Sequence, residues 1–536
     1  MTTDDHFDQE SLQAFIRELT DAGFQLIPES NPQRWTGEIH PDFGPLTEAT
    51  TMDIVIVPGW PFQPPALFVQ GLNTNHSTLD GLVCMWREGD FSHDWTTVGG
   101  FFSRIEEWCE DAKHGWKDDR LNQDAFLNFR SNSRLAATFD LPAMGIAEGS
   151  WGECHSVLGQ RPPRVDIMPG PKRSTDQLRV LWFHVGSLNA PPPRNLSEVS
   201  TCLPRTQRRQ LKRALADRRK PEFLTASGGV DVILFCWERH GRPDLLVMAC
   251  TGTNDEVAAV ALQAAPRDEQ SLILRAGPDA KVLGKCRATV FGAGALGGYT
   301  ATLLAESGVG AVDIVDPDVL LPGNVVRHLS GHSVVGAPKA HAVQAVIGDH
   351  APWTEVSGFL EGPRTRREIQ ERILPADIVV DTTGNEALVR SLAIVAQEHE
   401  KRLVTGALYR GGFIARVRRQ AIPGDTPIHL RDDLTRYPLI PAGPEGEDFA
   451  APQLGCSAPV NNAPPSAVSA CASLIAQAAI DVMTERYEFT DEVIDVYRSI
   501  PEPPFHQIGR VGRGGCVTSQ ESALQRAVED VTSLMS

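Results

Sequence analysis

The feature that most constrains the fold of this 536-residue sequence is a short apolar strand that runs into a glycine-rich turn. Residues 288–298 have the sequence ATVFGAGALGG, which places Gly292, Gly294 and Gly297 at the spacing G-x-G-x-x-G before a helical pattern over 299–306. Glycine suits such a turn because the backbone bends sharply and lets a phosphate approach amide groups at a helix N-terminus. The pattern predicts a nucleotide-binding strand–turn–helix unit, although NAD, FAD and ATP sites all share it.

Polar residues after the turn narrow the choice of nucleotide chemistry. A second apolar strand, 311–315, ends at Asp316, about where a dinucleotide fold places the carboxylate that binds ribose. Asn324, Arg327 and, twelve residues later, Lys339 follow it. A dehydrogenase needs no such pair of cations here, whereas an enzyme that expels pyrophosphate does, because the leaving group gathers negative charge. The order favours adenylation, although taken singly Asp316 could cap a turn and the two cations could be solvated surface charges.

Over roughly residues 270–500 this constellation resembles the ThiF and MoeB family and the activating enzymes of ubiquitin-like proteins, which adenylate the C-terminal carboxylate of a protein. The resemblance implies a Rossmann-type adenylation domain that uses ATP and Mg²⁺ and forms a homodimer. It implies that Asp316 holds the ribose and that Lys339 contacts the reacting phosphoryl region. Asn324 and Arg327 would hold the phosphates, and the three glycines of the turn would complete the nucleotide site.

Two positions depart from the pattern of that family. Where the family commonly has an aspartate that helps to hold magnesium, this sequence has Gly384, so Asp381 is the nearest carboxylate and the candidate metal ligand. Upstream, the segment 267–275 resembles the helix through which family dimers can lend an arginine across their interface, but Gln270 stands at the expected position. The departures concern metal binding and the shared arginine.

The cysteines indicate the chemistry that comes after adenylation. The sequence has ten cysteines and no Cys-x-x-Cys pair, which argues against a structural zinc site and against a disulfide framework. Cys456 follows a proline-rich acidic loop (438–452) and precedes an apolar helix pattern (467–483), and it resembles the thioester or persulfide cysteine on the crossover loop of ThiF-like proteins. A thiolate there can attack an acyl adenylate, which has an excellent leaving group. Cys471, within the apolar helix, is instead typical of a buried core cysteine.

A second signature lies near the N-terminus. Two alternating apolar strands within 53–69 flank the sequence PFQPP (61–65), whose prolines stop ladder pairing and force a rigid reversal. His76 follows, then Cys84 in the sequence GLVC, and then Trp95. This order resembles the ubiquitin-conjugating enzymes, with Cys84 in the place of their active-site cysteine.

That second resemblance implies that Cys84 carries a thioester, which a lysine amine attacks. The His-Pro-Asn loop of the eukaryotic members is replaced here by NTNHS, so His76 or Asn75 would supply the donor that supports the oxyanion. His93, Asp90 and Asp94 could orient or deprotonate the amine. They are explained equally well as loop residues that face water.

We predict an α/β multidomain protein. Its predicted parts are a ubiquitin-conjugating-like α+β domain at 1–118, an α+β bridging domain of unknown role at 119–265, a ThiF-like Rossmann-type adenylation domain at 266–500 and a turn-rich tail at 501–536. Within the bridging domain, apolar runs at 178–185 and 230–237 predict buried strands.

Composition limits the partners of this chain. A net charge of −18 disfavours non-specific contact with nucleic acid phosphates. The sequence has no signal-peptide pattern and no apolar run near eighteen residues, which predicts a cytoplasmic protein with reduced thiols and no membrane contact. The basic stretch 205–220 is typical of a solvated helix face, or alternatively of a docking surface for an acidic partner.

Together the two signatures predict a relay from acyl adenylate to a thioester on Cys456, then to Cys84, and finally to an isopeptide bond with a target lysine. The order of the units resembles the fused activating–conjugating enzymes of bacterial antiphage operons, whose partner is a ubiquitin-like protein or a CBASS-type nucleotidyltransferase. Three alternatives stay open. A ThiF or MoeB-like adenylyltransferase for sulfur-carrier activation would not need Cys84, an NAD-dependent oxidoreductase leaves Arg327 and Lys339 unexplained, and a non-catalytic scaffold requires both sites to have decayed.

Overall fold

The computed structural model describes residues 6–86, 92–116, 125–160, 162–188, 191–239, 242–253, 256–434, 436–441, 450–451 and 460–511. The chain divides into two compact units, Met1–Asp268 and Glu269–Ser536, and each has hydrophobic clusters of its own. The division falls three residues beyond the predicted start of the adenylation domain at 266. The further boundaries predicted within each unit stay predictions.

The first part of unit 1 is a five-stranded antiparallel sheet, with one helix before its strands in the sequence and one helix after them. Its elements are α1 (Gln9–Asp21), β1 (Gln25–Leu26), β2 (Gln33–Glu38), β3 (Thr51–Ile56), β4 (Ala66–Phe68), β5 (Leu82–Val83) and α2 (Val98–Lys113), and the strands pair in chain order. Asp8 begins α1 by accepting a hydrogen bond from the Ser11 amide, and Thr97 caps α2 in the same way. Phe15 and Phe101 are fully buried, so one core joins the helices to the sheet.

This arrangement contains the two strands that the sequence predicts on either side of the proline-rich turn. β3 and β4 pair antiparallel, with Ile54 opposite Leu67. The Trp95 indole N–H donates a hydrogen bond to the Pro61 carbonyl at 2.8 Å, which ties the turn to the segment before α2. The likeness of residues 1–118 to ubiquitin-conjugating enzymes stays a prediction.

The rest of unit 1 is built around a closed barrel. Its elements are α3 (Ala125–Asn128), β6 (Asn132–Phe139), α4 (Leu141–Met144), β7 (Trp151–Gln160), β8 (Pro163–Met168), β9 (Leu178–Ser187), α5 (Leu196–Cys202), α6 (Arg205–Ala216), β10 (Val232–Arg239), β11 (Arg242–Thr251) and β12 (Ala258–Pro266). Seven strands close in the order β10-β11-β12-β6-β8-β7-β9. β9 and β10 are the two predicted buried strands, and they pair parallel with Leu181 opposite Ile233. The five basic side chains of α6 are exposed, whereas Arg218, in the same predicted basic stretch 205–220, is fully buried and pairs with Asp231.

Unit 2 contains an eight-stranded sheet. Its elements are α7 (Glu269–Ile273), α8 (Ala280–Leu283), β13 (Arg287–Phe291), α9 (Ala295–Glu306), β14 (Ala311–Val315), α10 (Lys339–His350), β15 (Glu355–Phe359), α11 (Arg366–Ile373), β16 (Ile378–Asp381), α12 (Glu386–Glu398), β17 (Leu403–Tyr409), β18 (Ile414–Gln420), β19 (Ala450–Ala451), β20 (Val460–Asn461), α13 (Pro465–Met483), β21 (Glu492–Val496) and β22 (Gly509–Val511). The strand order is β15-β14-β13-β16-β17-β18-β21-β22, in which the first five are parallel. The Rossmann-type prediction for this unit is confirmed.

The chain direction explains where a ligand can bind in this sheet. From β13 the chain moves to β14 on one side and later to β16 on the other, so a crevice opens between the carboxyl ends of β13 and β16. The helix predicted over 299–306 begins earlier, at Ala295, because Gly294 acts as its N-cap. β22 lies within 501–536, where the sequence predicts only a turn-rich tail, and it pairs with β21.

Helix α13 is apolar because it lies in the core of unit 2. By length and composition it could cross a membrane, but 67% of its apolar window is buried within the protein. It packs against α9 and β17, and Cys471 and Ile475 are fully buried there. No apolar run of this length is expected from the sequence, and burial against the sheet accounts for the difference.

Unit 2 buries a group of arginines, of which Arg431 is the most deeply buried. The Arg431 guanidinium is fully buried and donates to the backbone carbonyls of Thr426, Asp491 and Arg419. Its Nη1 also lies 3.5 Å from the Glu492 carboxylate. These bonds join the segment after β18 to β21, so Arg431 fastens the antiparallel half of the sheet.

Replacing Arg431 with methionine should lower the free energy of unfolding by roughly 3–5 kcal/mol, because several buried carbonyls lose their donor and the buried Glu492 carboxylate, which keeps Arg416, loses its second cation. Arg367→Met is the matched control. The Arg367 side chain is 86% exposed beside Glu371, and its loss should change stability by no more than about 0.5 kcal/mol. Urea unfolding of the two variants measures both values, and equal losses would contradict the assignment.

Candidate functional site

The three predicted glycines each meet a different requirement of the turn after β13. Gly292 has φ of +91°, which favours glycine, and its amide donates to the Val315 carbonyl at 2.8 Å. A Cβ on Gly294 would meet nothing within 4 Å, so this face of the turn is open. A Cβ on Gly297 would lie 1.8 Å from the Gly292 carbonyl oxygen, so only glycine lets α9 pack this closely on the turn.

Asp316, the predicted ribose ligand, is buried directly after β14. One carboxylate oxygen accepts a hydrogen bond from the Ala293 amide at 2.6 Å, and the other accepts from the Asp318 amide at 2.8 Å. The carboxylate therefore ties the glycine turn to the end of the neighbouring strand. Capping of a turn, the alternative explanation for Asp316, is thus part of what this residue does.

The predicted phosphate-binding residues come from the loop after β14 and from the first turn of α10. Lys339 is the first residue of α10, and its Nζ donates to the Asp318 carboxylate at 2.8 Å. Arg327 is partly buried, and desolvation lowers the pKa of its guanidinium. Asn324 accepts a hydrogen bond from the Leu321 amide at 3.0 Å, which turns the chain before Arg327.

His328 is a buried residue of this site that the sequence analysis did not select. Its Nε2 lies 2.7 Å from the Ala293 carbonyl, and its Nδ1 accepts from the Ser330 amide at 3.1 Å. These partners require the neutral tautomer with the proton on Nε2. Burial lowers the pKa of His328, which keeps the ring neutral. Its position beside Arg327 is the only signal that the sequence offers for it.

A pocket of about 660 Å³ lies at the carboxyl ends of β13, β16 and β17. It brings together five of the predicted site residues, which are Gly294, Asn324, Arg327, Lys339 and Asp381. Gly292, Gly297 and Asp316 do not line it. Charged residues that the sequence did not indicate also line the pocket, namely Asp318, Glu386 and Arg418. Arg418 comes from β18, and only the strand order explains its presence.

Asp381, the predicted metal ligand, lies at the end of β16 with only 1% of its surface exposed. Its two carboxylate oxygens accept hydrogen bonds from the hydroxyls of Thr383 at 2.9 Å and Thr405 at 3.1 Å. Burial raises the pKa of this carboxyl to about 6 in spite of those donors. At Gly384, φ is +66° and a Cβ would meet nothing within 4 Å, so the position of the absent aspartate is open.

In unit 1 the candidate nucleophile Cys84 is exposed directly after β5. Its backbone is nevertheless fixed on both sides, because its amide donates to the His76 carbonyl at 2.8 Å and its carbonyl accepts from the Trp108 indole at 3.2 Å. Arg104 of α2 holds the next carbonyl, that of Met85, at 2.8 Å. The thiol is therefore presented from a rigid backbone.

The residues predicted to assist Cys84 have mixed positions. The His76 ring is buried against Trp116, with ring centroids 4.3 Å apart, and its φ is +58°. The buried Asn75 side-chain oxygen has no hydrogen-bond donor among the described residues. His93 lies 3.7 Å from the Glu107 carboxylate, and Asp94 caps the turn before α2. Roles for these residues in amine attack stay predictions.

The other cysteines differ from Cys84. Burial raises the pKa of Cys109 and of Cys471 to about 12, so both thiols stay protonated, as expected for core cysteines. Among the eight cysteines that the structure describes, only Cys84 is exposed. Cys456, the predicted first acyl acceptor, lies outside the described residues.

Residues 269–499 match the model of the ThiF family. The uncharacterized protein y4oA of Sinorhizobium fredii is 35% identical over 166 residues, which are 27% of this chain and 28% of that protein. The ATP-dependent ubiquitin transferase-like protein Cap2 of Pseudomonas aeruginosa is 33% identical over 125 residues, 23% of this chain and 22% of that protein. The probable adenylyltransferase/sulfurtransferase MoeZ of Mycobacterium tuberculosis is 31% identical over 183 residues, 31% of this chain and 43% of that protein.

The chain thus aligns with less than half the length of each of these curated relatives. Among solved structures, that of Escherichia coli MccB with ATP shares 13% identity over 45% of this chain and 67% of MccB, with a TM-score of 0.35. The family match confirms the ThiF resemblance that the sequence predicts for roughly 270–500.

Two alanine substitutions separate the roles of the glycines. Gly297→Ala should cost about 1–3 kcal/mol of stability without nucleotide, because the methyl group forces α9 away from the Gly292 carbonyl. Gly294→Ala should leave that stability within roughly 0.5 kcal/mol and instead weaken the rise in unfolding temperature that ATP produces. Thermal unfolding with and without ATP measures both effects. Equal losses in the nucleotide-free state would contradict the distinction.

Asp381 makes a pH-dependent contribution to stability. Because its folded pKa of about 6 lies above the ordinary value of 3.8, its stabilising contribution is complete below 3.8 and is lost as the pH rises through 6. Asp381→Asn should therefore gain stability over the wild type between pH 4 and 7, by on the order of 2–3 kcal/mol. Urea unfolding across that range tests this. Asp349→Asn, at an exposed position on α10, is the control for the loss of a carboxylate.

Proposed function

We propose, from the match of residues 269–499 to the ThiF family model, that the protein uses ATP to activate the C-terminal carboxylate of another protein. The activated acyl group then passes through two cysteines to a lysine amine. The pocket of unit 2 carries this proposal, because it combines the open glycine turn with Asn324, Arg327 and Lys339.

The electrostatics of the pocket favour a polyphosphate. Three helices begin at it, since their first residues Ala295, Lys339 and Glu386 all line the pocket. A helix N-terminus carries partial positive charge and amides without helical partners, so it binds anions. Arg327 adds a guanidinium to the same wall. The size of the pocket, about 660 Å³, is within the range of small-molecule sites.

The residues present fit ATP and Mg²⁺. The open face at Gly294 lets a phosphate approach the backbone closely. Asp381 and Asp318 both line the pocket and offer carboxylate oxygens, which are the ligands that Mg²⁺ prefers. Asp381 would hold the ion, and bound Mg²⁺ supplies neutralisation of phosphate charge. Asp316 does not line the pocket in this structure, but it stays the proposed ribose ligand, because a carboxylate accepts about four hydrogen bonds and capping the turn uses only two.

The first chemical step is adenylation. A carboxylate oxygen of the partner attacks the α-phosphorus of ATP, the bond to pyrophosphate breaks, and an acyl adenylate forms. Arg327 and Lys339 stabilise the charge that develops on the pyrophosphate. In the structure Lys339 is paired with Asp318, so binding of phosphate exchanges one anionic partner of the ammonium for another.

The later steps transfer the acyl group. The Cys456 thiolate attacks the acyl carbon and AMP leaves, and the Cys84 thiolate then attacks that thioester and releases Cys456. A lysine amine attacks the second thioester, the Cys84 thiolate leaves, and the amine loses a proton to give an isopeptide bond. The exposure of Cys84 on a fixed backbone supports its part in the relay. Linking both cysteines in one chain raises their effective concentration.

The proposed partners follow from this chemistry. The activated protein is a ubiquitin-like protein or a CBASS-type nucleotidyltransferase with an accessible C-terminal tail, and the setting is bacterial antiphage defence in the cytoplasm. A homodimer through the ThiF domain is part of the proposal. The alternative is adenylation for sulfur-carrier activation without conjugation. The name of the relative MoeZ is the only point that favours this alternative. A function for Cys84 distinguishes conjugation from sulfur-carrier activation, because only conjugation needs this cysteine.

An adduct assay tests the relay. With ATP, Mg²⁺ and a candidate partner encoded beside this chain, Cys84→Ala should trap a thiol-sensitive adduct on Cys456, and Cys456→Ala should form no adduct. Lys339→Met should lower adduct formation about 10²–10³-fold, because the leaving group loses a cation. Lys281→Met, at an exposed position on α8, is the matched control. Non-reducing gels and intact mass measure the products.

The outcomes separate the proposals. An adduct on Cys456 that never reaches Cys84 in the wild type would favour sulfur-carrier activation. ATP-dependent release of pyrophosphate with no adduct on either cysteine would leave adenylation standing and reject the relay.

A further inference from the structure

One arginine of the barrel segment reaches the loop that supports Cys84. Arg194 precedes α5 and is buried, with 4% of its surface exposed. Its backbone is anchored on both sides, since its amide donates to the Glu198 carboxylate at 2.8 Å and its carbonyl accepts from the Arg130 amide at 2.7 Å. The backbone of Arg194 is therefore held in place. It belongs to the segment that contains the barrel, and the sequence predicts no role for that segment.

The Arg194 guanidinium binds residues 72–77, hereafter the support loop. Its Nη1 donates to the Leu72 carbonyl at 2.8 Å, and its Nη2 donates to the Thr74 carbonyl at 2.9 Å and to the Ser77 hydroxyl at 3.0 Å. The Ser77 hydroxyl in turn donates to the Thr74 carbonyl at 2.8 Å. One planar group therefore holds both ends of the support loop.

The support loop is hydrogen-bonded to the backbone of the candidate nucleophile, Cys84. The His76 carbonyl accepts from the Cys84 amide at 2.8 Å, and Ser77 forms a β-bridge with Val83. His76 has φ of +58°, a conformation that a residue other than glycine seldom adopts unless its surroundings impose it. The indole N–H of Trp116 donates to the Thr74 hydroxyl at 3.0 Å, which adds a second restraint.

We infer that Arg194 is a positioning residue for thioester transfer at Cys84: it fixes the support loop, and through it the backbone of the cysteine. This inference rests on the proposed function for the transfer chemistry, whereas the restraint of the loop stands by itself. It assigns a function to the segment between the two signatures, because that segment, which contains the barrel, supplies Arg194. Displacement of a reacting group by about 1 Å can cost a hundredfold in rate.

The identity of the side chain matters in this position. Arginine presents several N–H donors in a rigid plane, so it can bind Leu72, Thr74 and Ser77 together. Lysine keeps the charge but is a flexible point donor, and methionine keeps much of the volume but donates nothing. Arg194→Lys should therefore restore the function of the support loop only in part, and Arg194→Met not at all.

Hydrogen exchange and thiol alkylation in the full chain test the restraint without any transfer chemistry. In Arg194→Met, exchange of the Cys84 amide should accelerate about tenfold or more, because its acceptor at His76 is no longer held. The rate at which iodoacetamide alkylates Cys84, measured by peptide mass, should also change in this variant. Arg208→Met is the matched control. Arg208 also donates to three carbonyls, those of Ser200, Thr201 and Leu203, but none lies in the support loop.

A single-turnover assay tests the transfer. With the thioester preformed on Cys84, discharge to free lysine should slow about 10–100-fold in Arg194→Met, with Arg194→Lys between it and the wild type. The lysine concentration that gives half the maximal rate should stay unchanged, since the amine is not bound by Arg194.

The results discriminate clearly. If Arg194→Met leaves both amide exchange and discharge unchanged, or if Arg208→Met alters them equally, the positioning role is wrong. Slowed discharge with lost thermal stability in every Arg194 variant, lysine included, would point to general unfolding and would also reject it. If the wild type forms no thioester on Cys84, the proposed function fails, and exchange and alkylation alone decide whether Arg194 holds the support loop.

Discussion

The pocket of unit 2 depends on how one backbone unit, that of Ala293, is held inside the glycine turn. Its amide donates to the Asp316 carboxylate and its carbonyl accepts from the His328 ring, so both polar groups of a fully buried residue are satisfied by side chains. Both partners belong to the chain that follows β14. The turn, the end of β14 and the loop bearing Asn324 and Arg327 therefore form one block, and the groups proposed to bind phosphate are fixed before a ligand arrives.

Much of unit 2 could be predicted because its information is local. Strand β13, the glycine turn and β14 follow each other within a few tens of residues, and a right-handed crossover leaves little choice in their packing. The barrel of unit 1 could not be predicted, although β9 and β10 were. Its closure depends on β12 lying beside β6, two strands far apart in the chain whose pairing leaves no local pattern.

The candidate sites show the same limit at the level of single residues. Gly294, Arg327 and Lys339 were found from spacing and do meet in one pocket, whereas Cys456 lies outside the described residues. Asp318 was missed although it follows Asp316 by two positions, because nothing in the sequence says that Lys339 folds back onto it. Arg418 was missed because its place at the pocket depends on β18 lying next to β17.

Both candidate sites leave the proposed reactive groups accessible and fix the backbone beneath them from distant parts of the chain. Cys84 is exposed, but its carbonyl is held by Trp108 and its amide by a loop that Arg194 restrains. This restraint costs conformational free energy, because His76 is held in a left-handed backbone conformation. Burial of aromatic rings in the hydrophobic cores offsets that cost. This division explains why motifs reveal the reactive residues and not their supports. Chemistry restricts the type and spacing of a nucleophile or a cation, whereas any segment that the fold brings near can supply the residue that holds it in place.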